Sequence, residues 1–219
     1  MFNPLTKSPD RAQSLASYRD LASGYEATCT RIQGIRAAAI ALLALRDGDT
    51  VFDVACGAGA MLPALAQAVG ARGRVVGIEQ SPEMACEARK RIAQAGVVNV
   101  TIIEAPVEQA ALEWRASALL FCYTHDVFQS PAALENVFAA ARPGARIAVA
   151  GAKLVTWWLA PVNLWMCYRA RHYLTTYRGL SMPWRPLLAY CPDLHFQGTW
   201  HLGTSYLAAG TVQSASDAP

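Results

Sequence analysis

The chain has 219 residues, 53% apolar and 16% charged, with a formal charge of +3. Length and apolar content suffice for one large core and argue against two independent domains, so residues 1–219 read as a single domain. Sixteen of the 19 basic residues are arginines scattered without a concentrated basic run, which excludes nucleic acid as a partner on electrostatic grounds.

Residues 1–13 are polar and lack the apolar stretch of a secretory leader, and a frayed start is expected. Ser14 to Tyr25 places Leu15, Tyr18, Leu21, Ala22 and Tyr25 at helical spacing. Ile32 to Leu45 predicts a second helix, with an alanine-rich apolar run between Arg36 and Arg46, stopped by Asp47-Gly48-Asp49. The cysteines at 29, 56, 86, 122, 167 and 191 form no CxxC pair and read as reduced, packed thiols of a cytoplasmic protein.

Thr50 to Cys56 is continuously apolar and β-branched, broken only by Asp53, and reads as a strand buried on both faces. Gly57 and Gly59 allow a sharp turn with close approach of a ligand, and Met61, Leu62, Leu65, Ala66 and Val69 then recur at helical spacing. Arg74–Glu79 predicts the second strand; Ser81 and Pro82 start a helix running to about Ala95. Asn99–Glu104, Ala118–Tyr123 and Arg146–Gly151 predict three more strands, with a helix from Pro131 to Ala141 before the last. Strands alternating with helices specify an α/β, Rossmann-like, doubly wound sheet.

Beyond Gly151 the composition shifts: residues 151–200 hold 10 of the 20 aromatic residues, five basic residues and one acid, Asp193. Residues 152–192 read as an aromatic-rich substrate insertion, with a helix from Leu159 to Thr176, and residues 1–30 as an N-terminal lid. Leu154–Tyr168 is the longest uncharged apolar tract and falls short of the roughly 20 residues that a membrane span needs. His195–Trp200 and Thr204–Ala209, joined at Leu202-Gly203, predict an antiparallel hairpin, which completes a mostly parallel seven-stranded sheet.

Glu79 ends the second strand 22 residues past Gly57, facing the same crevice, where a carboxylate can accept both ribose hydroxyls. Asp53 beside the turn would repel a pyrophosphate and attract an ammonium and a sulfonium, and position 62 is leucine where a dinucleotide fingerprint has its third glycine. Both departures favour S-adenosylmethionine over NAD. No metal is required for transfer of its methyl group.

Through DVACGAG, GIEQSPEM and ARPGARI, residues 15–151 resemble the class I S-adenosylmethionine-dependent methyltransferases, particularly the branch of quinone C-methyltransferases and phospholipid N-methyltransferases. The resemblance implies that Asp53, Ala55, Gly57 and Gly59 hold the methionine portion and Glu79 the ribose. Gln80 and Met84 would flank the adenine, Tyr123 would border the cofactor, and Tyr18 and Tyr25 would belong to a lid; the two tyrosines also read as staples of the leading helix. Where the family has a Gly-Asp pair after the third strand, this chain has Ala105-Pro106, which moves the adenine contact to the Val107 backbone or Glu108.

His125, in CYTHDV after the fourth strand, reads either as a general base or as a strand-end cap beside Asp126. Trp157, Trp158, Trp165, Tyr168, His172 and Tyr173 read as a substrate pocket or as core covering a sheet edge. The expected acceptor is a small, partly apolar metabolite or a lipid headgroup. Arg169, Arg171 and Arg178 leave peripheral membrane contact open. A noncatalytic nucleoside-binding module and an NAD-linked oxidoreductase are the competing readings.

Overall fold

β1 (Thr50–Val54) lies at the centre of the structure, a computed structural model that describes residues 8–21, 30–171 and 173–213. β2 (Arg74–Glu79) and β4 (Ala116–Cys122) flank it in parallel; β3 (Val100–Glu104) lies outside β2 and β5 (Ala141–Ala152) outside β4. β7 (Ser205–Thr211) pairs antiparallel with β5, and β6 (His195–Trp200) with β7 at the edge, giving the order β3-β2-β1-β4-β5-β7-β6. The fold is a Rossmann-like, seven-stranded mixed sheet.

Helices cover both faces, which is why the central strands are apolar at nearly every position. Phe52 and Val54 face α6 (Pro131–Ala139) through Leu134, Val137 and Phe138. Val51 points the other way, into a core with Ile35 and Ala39 of α2 (Gln33–Leu42), Leu62 and Leu65 of α3 (Leu62–Val69), and Ala88 of α4 (Pro82–Ala95). Each fully buried side chain of this size contributes about 1.5–3 kcal/mol. Alternation along the strand puts Asp53 on the face of Val51, beneath α2.

Local signals set the helix starts. Ser81 caps α4 by accepting the Met84 N–H at 3.3 Å, with Pro82 at the first position, and Gly96 at φ +65° ends it. Ser130 caps α6 in the same way through the Ala133 N–H at 3.3 Å. α1 (Arg11–Leu21) precedes the sheet, the single turn α5 (His125–Phe128) follows β4, and α7 (Ala160–Ala170) follows β5.

Several boundaries differ from the expectation, and three of them have a visible cause. β5 starts at Ala141, before Pro143-Gly144, because Ala141 pairs with Ala116 and an irregularity in the register absorbs the bend. α7 ends at Ala170 because Asp126 accepts both the N–H (3.3 Å) and the hydroxyl (2.6 Å) of Thr175, which holds the chain out of the helix. The hairpin turn centres on His201 and Leu202, both at positive φ, with Thr204 donating its hydroxyl to the His201 carbonyl at 2.7 Å.

Candidate active site

Between β1 and β4 the strand order changes direction, and side chains beyond their carboxyl ends are left around a crevice. Ala55 (φ +55°) and Tyr123 (φ +60°) are the first residues past those two strands. A left-handed backbone costs a non-glycine residue about 1–2 kcal/mol, and such strain gathers at binding sites. Here it turns both chains away from the sheet and opens a cavity of about 410 Å³.

Ala55, Gly57, Glu79, Gln80, Met84, Val107, Glu108, Tyr123, His125, Tyr18 and Tyr173 line this cavity. Gly57 adopts φ +57°, and a Cβ there would meet the Met84 methyl at 3.4 Å. Gly59 (φ +72°) sits behind the wall, where a Cβ would lie 2.9 Å from that of Ala88, so it serves the packing of the turn on α4.

Glu79, 6% exposed, already staples the turn. Its Oε2 accepts the Gly57 N–H at 2.9 Å and its Oε1 the Ser81 N–H at 2.7 Å. Burial pushes its pKa up, opposed by the Ser81 and Gly57 donors.

Asp53 is 1% exposed and stands behind the cavity wall. Neither carboxylate oxygen makes a hydrogen bond among the described residues. Burial pushes its pKa up to about 7; the Arg36 guanidinium pulls it down and Glu79 adds to the rise. Arg36 is buried on α2 and does line the cavity, so a cation and a carboxyl are stacked under one end of it.

His125 is 5% exposed, and its ring nitrogens make no hydrogen bond among the described residues. Burial pushes its pKa down to about 4, a pull that the nearby Arg178 backbone partly opposes, so the imidazole is neutral at pH 7.

The roof joins the leading helix to the segment that follows α7. Ser14 accepts from the Gln80 amide at 3.5 Å, Tyr18 donates to the Tyr173 carbonyl at 3.4 Å, and the Asp10 N–H donates to Thr175 Oγ1 at 2.9 Å. Below, Asn136 donates to the Val107 and Ala110 carbonyls at 2.7 and 3.0 Å, which fixes the turn that carries Val107 and Glu108.

Of the aromatic residues expected to wall an acceptor pocket, Tyr173 reaches the cavity. Trp157 (83% exposed) and Trp158, in the turn before α7, stand outside it, as do Trp165 and Tyr168, because α7 turns Met166 inward and their rings outward. Tyr25 and His172 lie outside the described residues.

Sequence reasoning missed Arg36 as a site residue; its trace was a charged residue within an otherwise apolar, inward-facing helix. It also missed Thr124, Asp126 and Leu174, which line the cavity through the bend after β4 and the tether at Thr175.

A sequence profile described as a methyltransferase domain matches residues 45–176. The chain belongs to this family of class I, S-adenosylmethionine-dependent methyltransferases. It is 30% identical over 124 residues to an uncharacterized 37.1 kDa protein in a transposon of Streptomyces fradiae, covering 55% of this chain and 35% of that one. It is 41% identical over 61 residues to the protein-L-isoaspartate O-methyltransferase of Fervidobacterium nodosum, covering 28% and 31%. The chain thus spans about a third of the length of these curated relatives. In fold it is similar to a SAM-dependent methyltransferase from Aquifex aeolicus, with a TM-score of 0.55 and 18% identity over 90% of this chain and 97% of that one.

The methyltransferase site fits its cofactor on three observations. A glycine at position 57 leaves space that a side chain would fill, a carboxylate at 79 ends β2, and the buried Asp53 oxygens have no hydrogen-bond partner among the described residues.

Proposed function

We propose that this domain transfers a methyl group from S-adenosylmethionine to a nitrogen, oxygen or carbon of a small, partly apolar metabolite or lipid headgroup. The observation that carries the reading is one cavity at the switch point, lined by Glu79 and the Gly57 turn that it staples and also by His125. Gln80, Met84, Val107 and Glu108 would border the adenine, Glu79 the ribose and Arg36 the carboxylate of the methionine end, with Asp53 acting on its ammonium by charge from behind the cavity wall. Gly57 and Ala55 shape the turn against it, and Tyr18 and Tyr123 close over it.

When bound, the cofactor supplies a methyl group that the acceptor's lone pair takes as the carbon–sulfur bond breaks and its electron pair returns to sulfur. The chain's own contribution is alignment and exclusion of water, with α1 and Tyr173 as the cover. S-Adenosylhomocysteine should raise the melting temperature, and Asp53→Ala or Glu79→Ala should abolish that rise. Unaltered binding in both variants would refute the site.

The outward ring face of α7 and the turn before it support peripheral contact with an anionic bilayer. Trp157 in that turn and Leu164, Trp165 and Tyr168 on α7 are each exposed, the Arg171 guanidinium lies 3.8 Å from the Tyr168 ring centre, and residues 151–192 carry no acid. Apolar rings interleaved with arginine suit the lipid headgroup boundary. Among the described residues, no helix is long and apolar enough to cross a membrane.

A further inference from the structure

Beside His125 a second, much smaller cavity of about 20 Å³ opens behind the first, room for a single water-sized group. Tyr123, Thr124, His125 and Leu174 line both cavities, so the small one adjoins the large one. Its far wall is Gly151 and Tyr206, direct partners across β5 and β7. A Cβ on Gly151 would lie 3.1 Å from Tyr206 Cε1 and 3.3 Å from its hydroxyl, so the space depends on that glycine.

Three polar side chains of this wall are buried: the Thr124 and Tyr206 hydroxyls make no hydrogen bond among the described residues, and the His125 imidazole makes none of ordinary geometry, with the Arg178 backbone its nearby polar neighbour. A buried polar group without a partner costs about 1–3 kcal/mol, so three around one cavity mark a place where something else completes them. No Asp, Glu, Lys or Arg lines the small cavity. The imidazole is neutral at pH 7, and burial raises the Tyr206 pKa, keeping the phenol protonated.

We propose that Thr124, His125 and Tyr206 form the acceptor subsite and that it takes a neutral hydroxyl group, alcohol or phenol, of the methyl acceptor. A hydroxyl both donates and accepts: the imidazole takes its hydrogen, Thr124 and Tyr206 donate to one side of the oxygen, and the remaining lone pair is left open for the methyl group. An ammonium would find no carboxylate there and a carboxylate no cation, and each would forfeit its hydration. Phe128 and Leu174 supply apolar wall. The inference rests on the methyltransferase reading and narrows its acceptor to oxygen.

The test is a ligand-observed NMR titration of protein saturated with S-adenosylhomocysteine, using phenol, benzoate and benzylamine as probes. Phenol should bind and the two charged probes should not. Tyr206→Phe should weaken phenol about fivefold and Tyr206→Phe with Thr124→Val at least tenfold, as expected for one and two neutral hydrogen bonds. Gly151→Ala should abolish phenol binding. Tyr206→Phe should melt no lower than wild type, because it deletes an unpartnered hydroxyl, and should keep the full S-adenosylhomocysteine melt shift. Phenol binding unchanged in the double variant, or tighter binding of either charged probe, overturns the subsite and leaves the cofactor reading intact. Failure of S-adenosylhomocysteine to shift the wild-type melt overturns both.

Discussion

Glu79→Gln separates the task that this carboxylate performs in the fold from the one proposed for it in binding. In the folded chain each oxygen accepts one backbone N–H, from Gly57 at 2.9 Å and from Ser81 at 2.7 Å. Glutamine keeps one acceptor and sets its NH2 against the other N–H. The loss is one buried donor left unpaired, about 1–3 kcal/mol, and the weakening of the remaining bond from charge-assisted to neutral. Against this, a neutral amide avoids burying a charge that already raises the Glu79 pKa. The net cost is about 1–3 kcal/mol, which for a chain of 219 residues lowers Tm by roughly 3–10 °C. Differential scanning fluorimetry without ligand reads this term. Repeating it with S-adenosylhomocysteine reads the second, a loss of at least tenfold in affinity as the ribose hydroxyls lose an ionised acceptor. Glu113→Gln, on an exposed loop that does not line the cavity, is the control and should alter neither melt. A Glu79→Gln protein that melts and binds like wild type would show that the carboxylate neither staples the glycine turn nor meets a ligand.

Gly59→Ala should cost about 2–4 kcal/mol, from positive φ and from crowding against the Ala88 backbone, whereas Gly57→Ala, with an ordinary Met84 contact, should cost about 1–2 kcal/mol and chiefly lower affinity; equal melts for the two would contradict the packing described. Asp53 has a folded pKa raised from 3.8 to about 7, so its contribution to stability is full below pH 3.8 and is lost as pH rises through 7, a change of about 4 kcal/mol. Asp53→Asn should therefore melt above wild type at pH 8, match it near pH 4, and bind S-adenosylhomocysteine more weakly at pH 8. A wild-type excess at pH 8 would reverse the sign and sink this account. Phosphatidylserine vesicles should sediment the protein at low salt and release it as salt rises, and Trp157→Ser with Trp165→Ser should weaken the association. No sedimentation at low salt removes the membrane contact.

The glycine turn, the two carboxylates and the strand–helix alternation were legible in the chain because each rests on local chemistry: backbone freedom, a capping serine, or a period of two or 3.6 residues. The aromatic insertion was legible as a segment but not as a surface. Composition gives the number of rings in 152–192, whereas which side of α7 packs inward depends on Met166, Asn163 and the tether from Asp126 to Thr175. Arg36 was hidden for the same reason, since its importance lies in what stands opposite it on β1.

By itself, then, the sequence determined the family fold and picked out the residues proposed for the cofactor end of the site, since those residues are close neighbours along one strand–turn–helix unit and its successor. The tertiary structure decided the proposed acceptor end. Thr124 and His125 come from the bend after β4, Gly151 from β5 and Tyr206 from an antiparallel strand 55 positions later, and only strand pairing brings them to one cavity. Hydrogen-bonding groups so far apart in sequence carry no mutual spacing to read, so their shared lack of partners becomes visible once the sheet has closed around them.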